Sequence, residues 1–291
     1  MNDTNDFSPS RLAALVQADV GRALAEDVGA GDLTAALVDP ARRARARVLA
    51  RETAVICGRP WVDAAVLALD PTATLRWHVA EGQRCEANQV VLEIEGLAQQ
   101  LLTAERTALN FLQTLSAVAT KTAQYVQAVA GTRARIVDTR KTLPGLRLAQ
   151  KYAVLQGGGL NHRLGLYDAV LIKENHIAAA GGVSAVLRRV QETAPQAKFV
   201  QIEVETLAQL QEALDAGARM VLLDNMDLTT LHEAVRINAA HASGSAVLEI
   251  SGGVNLDTVR ALAETGVDRI SIGALTKDVK AVDFSMRFET V

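Results

Sequence analysis

The chain has 291 residues, 49% of them hydrophobic and 22% charged, with a net charge of -3. That length leaves room for roughly two domains and a sizeable core, and the slightly acidic balance excludes general attraction to nucleic acid or to an anionic membrane surface. Cys57 and Cys85 lack CxxC spacing, the N-terminus MNDTNDFSPSRL lacks the pattern of a signal peptide, and no run nears the ~18 apolar residues of a membrane span. A protein of the reducing cytoplasm is expected.

Up to about Gly96 helical and extended patterns mix, and TLRWHVAEGQRCEANQVVLEIEG reads as two short strands around a polar, glycine-containing turn. From Leu97 to Ala130 apolar residues recur at three and four with no Pro or Gly, which predicts one or two helices. Beyond Gly131, short β-branched runs alternate with amphipathic segments. The strand candidates are Arg135 to Thr139, Ala169 to Ile172, Phe199 to Val204, Met220 to Leu223, Val247 to Ile250 and Arg269 to Ile272. Such alternation implies a parallel sheet. No GxGxxG follows the first strand and polar residues end every strand, which favours a barrel over an open sheet; six units imply an incomplete one. The segment after Leu275 reads as a helix and strand returning to the first domain.

Parallel strands place their carboxyl ends on one face, where barrels collect catalytic residues. Those ends carry Asp138-Thr139-Arg140-Lys141, Lys173-Glu174-Asn175, Glu203 with Glu205, Asp224-Asn225, Ser251-Gly252-Gly253 and Gly273-Ala274. Any one of these reads equally well as a solvated loop residue; six in succession do not. The glycine segments can offer backbone N–H groups to a phosphate. Arg140, Lys141 and Lys173, with His162 and Arg163 behind a triple glycine, describe a polyanion site, because arginine forks grip carboxylates and lysine supplies a point charge. Lys173 has a second reading as a Schiff-base lysine. Glu203 and Asp224 suit sugar hydroxyls or a Mg²⁺ shared with a pyrophosphate. No ligand spacing suggests a dedicated metal cage, and His78, His176, His232 and His241 read as surface or packing residues.

At these residues the sequence resembles the quinolinate phosphoribosyltransferase family. The stretches that carry it are ALAEDVGAGDLT, AERTALNFLQ, DTRKTLPGLR, KYAVLQGGGLNHRLGLYDAVLIKENH, EVETL, LLDNM, ISGGVN and ISIGALT, in order over almost the whole chain. The resemblance implies an α/β fold: an N-terminal open-faced sandwich over residues 1–118, joined by 278–291, and an incomplete β/α barrel of about six strands over 119–277. It implies transfer of phosphoribosyl from phosphoribosyl pyrophosphate to quinolinate, with Mg²⁺, in a homodimer or higher assembly whose active site is shared between subunits.

By the same likeness Arg106 enters from the partner subunit, Arg140, His162, Arg163 and Lys173 grip the dicarboxylate, and Thr139 and Lys141 lie against the substrates. Glu203 and Asp224 contact the ribose, Ser251, Gly252, Gly253, Gly273 and Ala274 hold the 5-phosphate, and Lys141, Glu203 and Asp224 form the catalytic set. The sequence departs from the family at Leu143, Gln201, Ile250 and Lys277; an acid usually stands where Gln201 does. Two other readings stay open, a Schiff-base lyase using Lys173 and a non-catalytic binding protein.

Overall fold

Arginine alternates with small apolar residues along RARARVLA, the period-two pattern of a half-buried strand. In the computed structural model, which describes residues 7–242 and 244–289, this is strand Arg43–Ala50. Ala46, Val48 and Ala50 are buried on its inner face. Arg45 and Arg47 stand on the outer face, where Arg45 pairs with Glu95 and Arg47 with Glu93 and Glu289. These acids lie on the antiparallel neighbours, Val90–Leu97 on one side and Phe284–Glu289 on the other, and Thr74–Trp77 completes a four-stranded sheet. The return of the chain end to this sheet bears out the closing strand; the helix before it is one turn, Ala274–Lys277.

Of the described residues, 7–123, 143–158 and 275–289 form one compact unit; 124–142 and 159–274 belong to the other. In the first, helix Arg59–Leu69 buries Trp61, Val62, Ala65 and Val66, a stripe at helical spacing. The fully buried Trp61 packs against Tyr152, ring centroids 5.4 Å apart, and donates through Nε1 to Asp19 of helix Pro9–Asp27 at 3.0 Å. The helical pattern of Leu97 to Ala130 is one unbroken helix, Ala98–Ala128. Residues 143–158, read from sequence as following the first barrel strand, lie in this antiparallel unit with their helix Arg147–Gln156. Gly157, just past that helix, is buried, and a Cβ there would come within 2.4 Å of the Ala119 carbonyl oxygen and 2.6 Å of Thr122 Cβ.

In the second unit the strands are β1 (Arg135–Val137), β2 (Val170–Ile172), β3 (Val200–Val204), β4 (Met220–Leu223), β5 (Val247–Ser251) and β6 (Arg269–Ser271), each within two residues of its predicted bounds. All pair in parallel, in the order β1-β6-β5-β4-β3-β2. Among the described residues no named strand joins β1 to β2, so the barrel is incomplete; Leu160 adds one parallel bridge beside Val137. The helices that follow the strands bury apolar stripes such as Val183, Val186, Leu187 and Val190. Thr206 and Asp227 cap two of them by accepting from the backbone N–H groups of Gln209 and Thr230.

Candidate active site

Because the six strands are parallel, the sequence-predicted residues of this unit follow or end their strands at one edge of the sheet. Thr139, Arg140 and Lys141 follow β1, Lys173 follows β2, Glu203 lies on β3 and Asp224 follows β4. Ser251 ends β5 with Gly252 and Gly253 behind it, and Gly273 and Ala274 follow β6.

A cavity of about 730 Å³ opens at the ends of β4 and β5, lined by Asp224, Asn225, Ser251, Gly252 and Gly253 among others. Gly252 and Gly253 have φ of 99° and 61°, a left-handed conformation that favours glycine, and no atom lies within 4 Å of where a Gly253 Cβ would stand. The loop therefore presents bare backbone. Asn225 also has positive φ, 53°, uncommon for a residue with a side chain and a recurrent feature of functional sites. At β6 a Cβ on Gly273 would fall 3.0 Å from Lys141 Cδ and 3.6 Å from Thr139 Oγ1, so the lysine stem crosses the glycine. Asp224 Oδ1 is 3.7 Å from the corresponding point on Gly252. A point charge and a carboxylate thus border two glycine segments of backbone.

The cationic side is built at β1 and β2. Lys173 Nζ lies 3.1 Å from Glu203 Oε2 across neighbouring strands. Burial pulls the Arg163 guanidinium below its ordinary pKa, the positive charge of Arg140 adds to the effect, and Asp168 opposes it. Two guanidinium groups that repel across a partly dry space suit an anion, since a bound carboxylate would relieve the repulsion.

The turn that carries Arg163 is held by side chains at four consecutive backbone N–H groups. Asp138, fully buried, accepts from the N–H of His162 at 2.8 Å and from Asn161 Nδ2 at 2.7 Å. The N–H of Arg163 donates to His162 Nδ1 at 2.9 Å. Those of Leu164 and Gly165 donate to the buried Asp168 carboxylate at 2.8 and 2.9 Å. His162 is itself buried, with Nε2 2.8 Å from Gln201 Oε1 and 3.6 Å from Glu249 Oε1. Glu249 in turn faces Arg269 Nε at 3.1 Å.

Sequence reasoning overlooked this polar layer. Its signal was available: Gln201 and Glu249 stand before the polar strand ends, between apolar residues, and both are completely buried.

Arg106 belongs to the other unit, on helix Ala98–Ala128, where it lines a cavity with Asp27, Asp32, Leu33, Leu102 and Thr103. Leu33 and nearby Leu37 are 89% and 85% exposed. Among the described residues no group of three or more His, Cys, Asp or Glu side chains could hold a metal, and no helix is long and apolar enough to cross a membrane. Glu203 and Asp224 are carboxylates at the ends of adjacent strands, which suits an ion that brings ligands with its substrate.

Two family models match the chain: quinolinate phosphoribosyl transferase, N-terminal domain, over residues 32–116, and its C-terminal domain over residues 118–287. The chain is 42% identical over 274 residues to the nicotinate-nucleotide pyrophosphorylase (carboxylating) of Mycobacterium leprae, covering 92% of this chain and 95% of that protein. It is 41% identical over 264 residues to a probable nicotinate-nucleotide pyrophosphorylase (carboxylating) of Synechocystis, covering 91% and 89%. The solved structure of the nicotinate-nucleotide pyrophosphorylase from Francisella tularensis has a TM-score of 0.92 to it at 39% identity, covering 99% of this chain and 100% of that one.

Proposed function

The chain belongs to the quinolinate phosphoribosyltransferase family, and from that premise we infer that it joins quinolinate to the ribosyl carbon of phosphoribosyl pyrophosphate with loss of carbon dioxide. The observation that carries the reading is the convergence of cations, carboxylates and bare glycine backbone at the carboxyl ends of the six strands. The pyridine nitrogen forms a bond to the anomeric carbon as the bond to pyrophosphate breaks. The 2-carboxylate then departs as carbon dioxide, leaving its electron pair on the ring carbon, which takes a proton from water. The products are nicotinate mononucleotide, pyrophosphate and carbon dioxide.

Arg140, Arg163 and Lys173 hold the dicarboxylate; Lys141 bridges the two substrates; Glu203 and Asp224 face the ribose. Ser251, Gly252, Gly253, Gly273 and Ala274 take the 5-phosphate on their backbone N–H groups. A sugar that becomes cationic as its leaving group departs needs positioning and fixed charge more than a general base, and this residue set supplies them. Mg²⁺, held mainly by the pyrophosphate with Glu203 and Asp224 beside it, offsets the leaving group's charge. Pure protein with both substrates and Mg²⁺ is expected to release nicotinate mononucleotide, read by chromatography; no product from folded protein rejects the reading and leaves a binding protein in its place. The Schiff-base alternative loses ground because the Lys173 side chain is 52% exposed and ion-paired, the reverse of the desolvated surroundings such a lysine needs.

The active form is at least a homodimer, with Arg106 completing a neighbour's site; the exposed Leu33 and Leu37 beside its cavity favour cover by a second copy. Mixing Arg106→Ala with Lys141→Ala chains is expected to restore about one quarter of full activity. Random pairing makes half of the dimers mixed, each with one intact site. Inactivity of mixtures whose subunits demonstrably exchange rejects the shared site. Two buried free cysteines, Cys57 and Cys85, agree with the reducing cytoplasm as its location.

A further inference from the structure

We propose that Gln201 is a positioning residue for dicarboxylate binding, acting through the ring of His162 on the backbone of Arg163; the role in binding rests on the function proposed above. Both ring nitrogens of His162 are engaged inside the protein. Nδ1 accepts from the Arg163 N–H at 2.9 Å, so in the neutral ring the proton sits on Nε2, which donates to Gln201 Oε1 at 2.8 Å. Gln201 is completely buried, and its Nε2 has no hydrogen-bond partner among the described residues, so the amide's one protein contact of this kind is the one that sets the histidine.

The opposite tautomer would point an N–H at the Arg163 N–H and leave Nε2 facing two acceptors, the Gln201 oxygen and Glu249. The amide oxygen therefore selects the tautomer that can hold Arg163. The edge of the Phe199 ring, 5.2 Å away by centroid and nearly perpendicular, fixes the plane of the imidazole. His162 holds the backbone of Arg163, and both of its ring nitrogens have partners inside the protein.

Ring nitrogen NMR on protein labelled with ¹⁵N-histidine reads the state directly, with the other four histidines assigned by substitution. The expected spectrum shows His162 with Nε2 protonated and Nδ1 bare; a protonated Nδ1 in the neutral ring overturns the proposal, whether or not the enzyme turns over. Gln201→Leu keeps the size and removes the acceptor. It is expected to raise the KM for quinolinate about tenfold while leaving that for phosphoribosyl pyrophosphate within about twofold. Gln201→Glu, which retains an acceptor, is expected to recover most of the loss. A folded Gln201→Leu enzyme with unchanged KM overturns the role in binding; if that variant does not fold, the ring spectrum of the parent and the KM of Gln201→Glu decide it.

Discussion

Alanine at Arg163 is expected to weaken quinolinate binding about a hundredfold, roughly 2.7 kcal/mol, the scale of a lost charge-assisted pair. The guanidinium stands in a partly buried space next to Arg140, where burial and like charge already disfavour its charged form. A dicarboxylate offsets both penalties at once, so removing one arm leaves the remaining arginine with a ligand it neutralises only in part. Lysine at the same place is expected to recover little, because a compact ammonium cannot match two carboxylate oxygens with parallel donors. Calorimetric titration with pyridine-2,3-dicarboxylate measures the change. Undiminished affinity in Arg163→Ala would remove this turn from the dicarboxylate site.

The largest expected loss of stability comes from a glycine of the antiparallel unit. Gly157→Ala places a methyl group 2.4 Å from a backbone oxygen of helix Ala98–Ala128, and neither the helix nor the residues just past Arg147–Gln156 can yield without disturbing the core around them. The cost is expected to reach about 3 kcal/mol, a fall in Tm of roughly 10 °C by calorimetry. The backbone at Gly157 has φ of -80°, which any residue adopts, so the penalty is one of space alone. Gly131 supplies the contrast: its φ is +82° and nothing lies within 4 Å of its missing Cβ, so Gly131→Ala is expected to cost only about 1 kcal/mol. Equal losses at the two positions would refute the steric account.

These two glycines also show where sequence stops informing. In the run Gly157-Gly158-Gly159 the sequence shows the absence of side chains and not the neighbour that requires it. The six parallel strands were legible, since β-branched runs between amphipathic helices carry their own period. Strand Arg43–Ala50 was not, although its alternation is regular: arginine at every second position conceals a strand whose charged face is met by Glu93, Glu95 and Glu289 from segments far along the chain. The charged residues at the strand ends could be picked out because they follow strands. Gln201 and Glu249 stood out only as polar residues inside strands; what they and Asp138 hold could not be read, since their partners are distant in sequence.

A surface turn usually keeps some freedom until a ligand arrives, and ordering it then subtracts from affinity. The turn around Arg163 has surrendered that freedom during folding, with four successive amide protons anchored to Asp138, His162 and Asp168. Its entropy is accounted for before any ligand is met, so the arginine waits in a fixed pose, and the same anchors will make those amides slow to exchange with deuterated water.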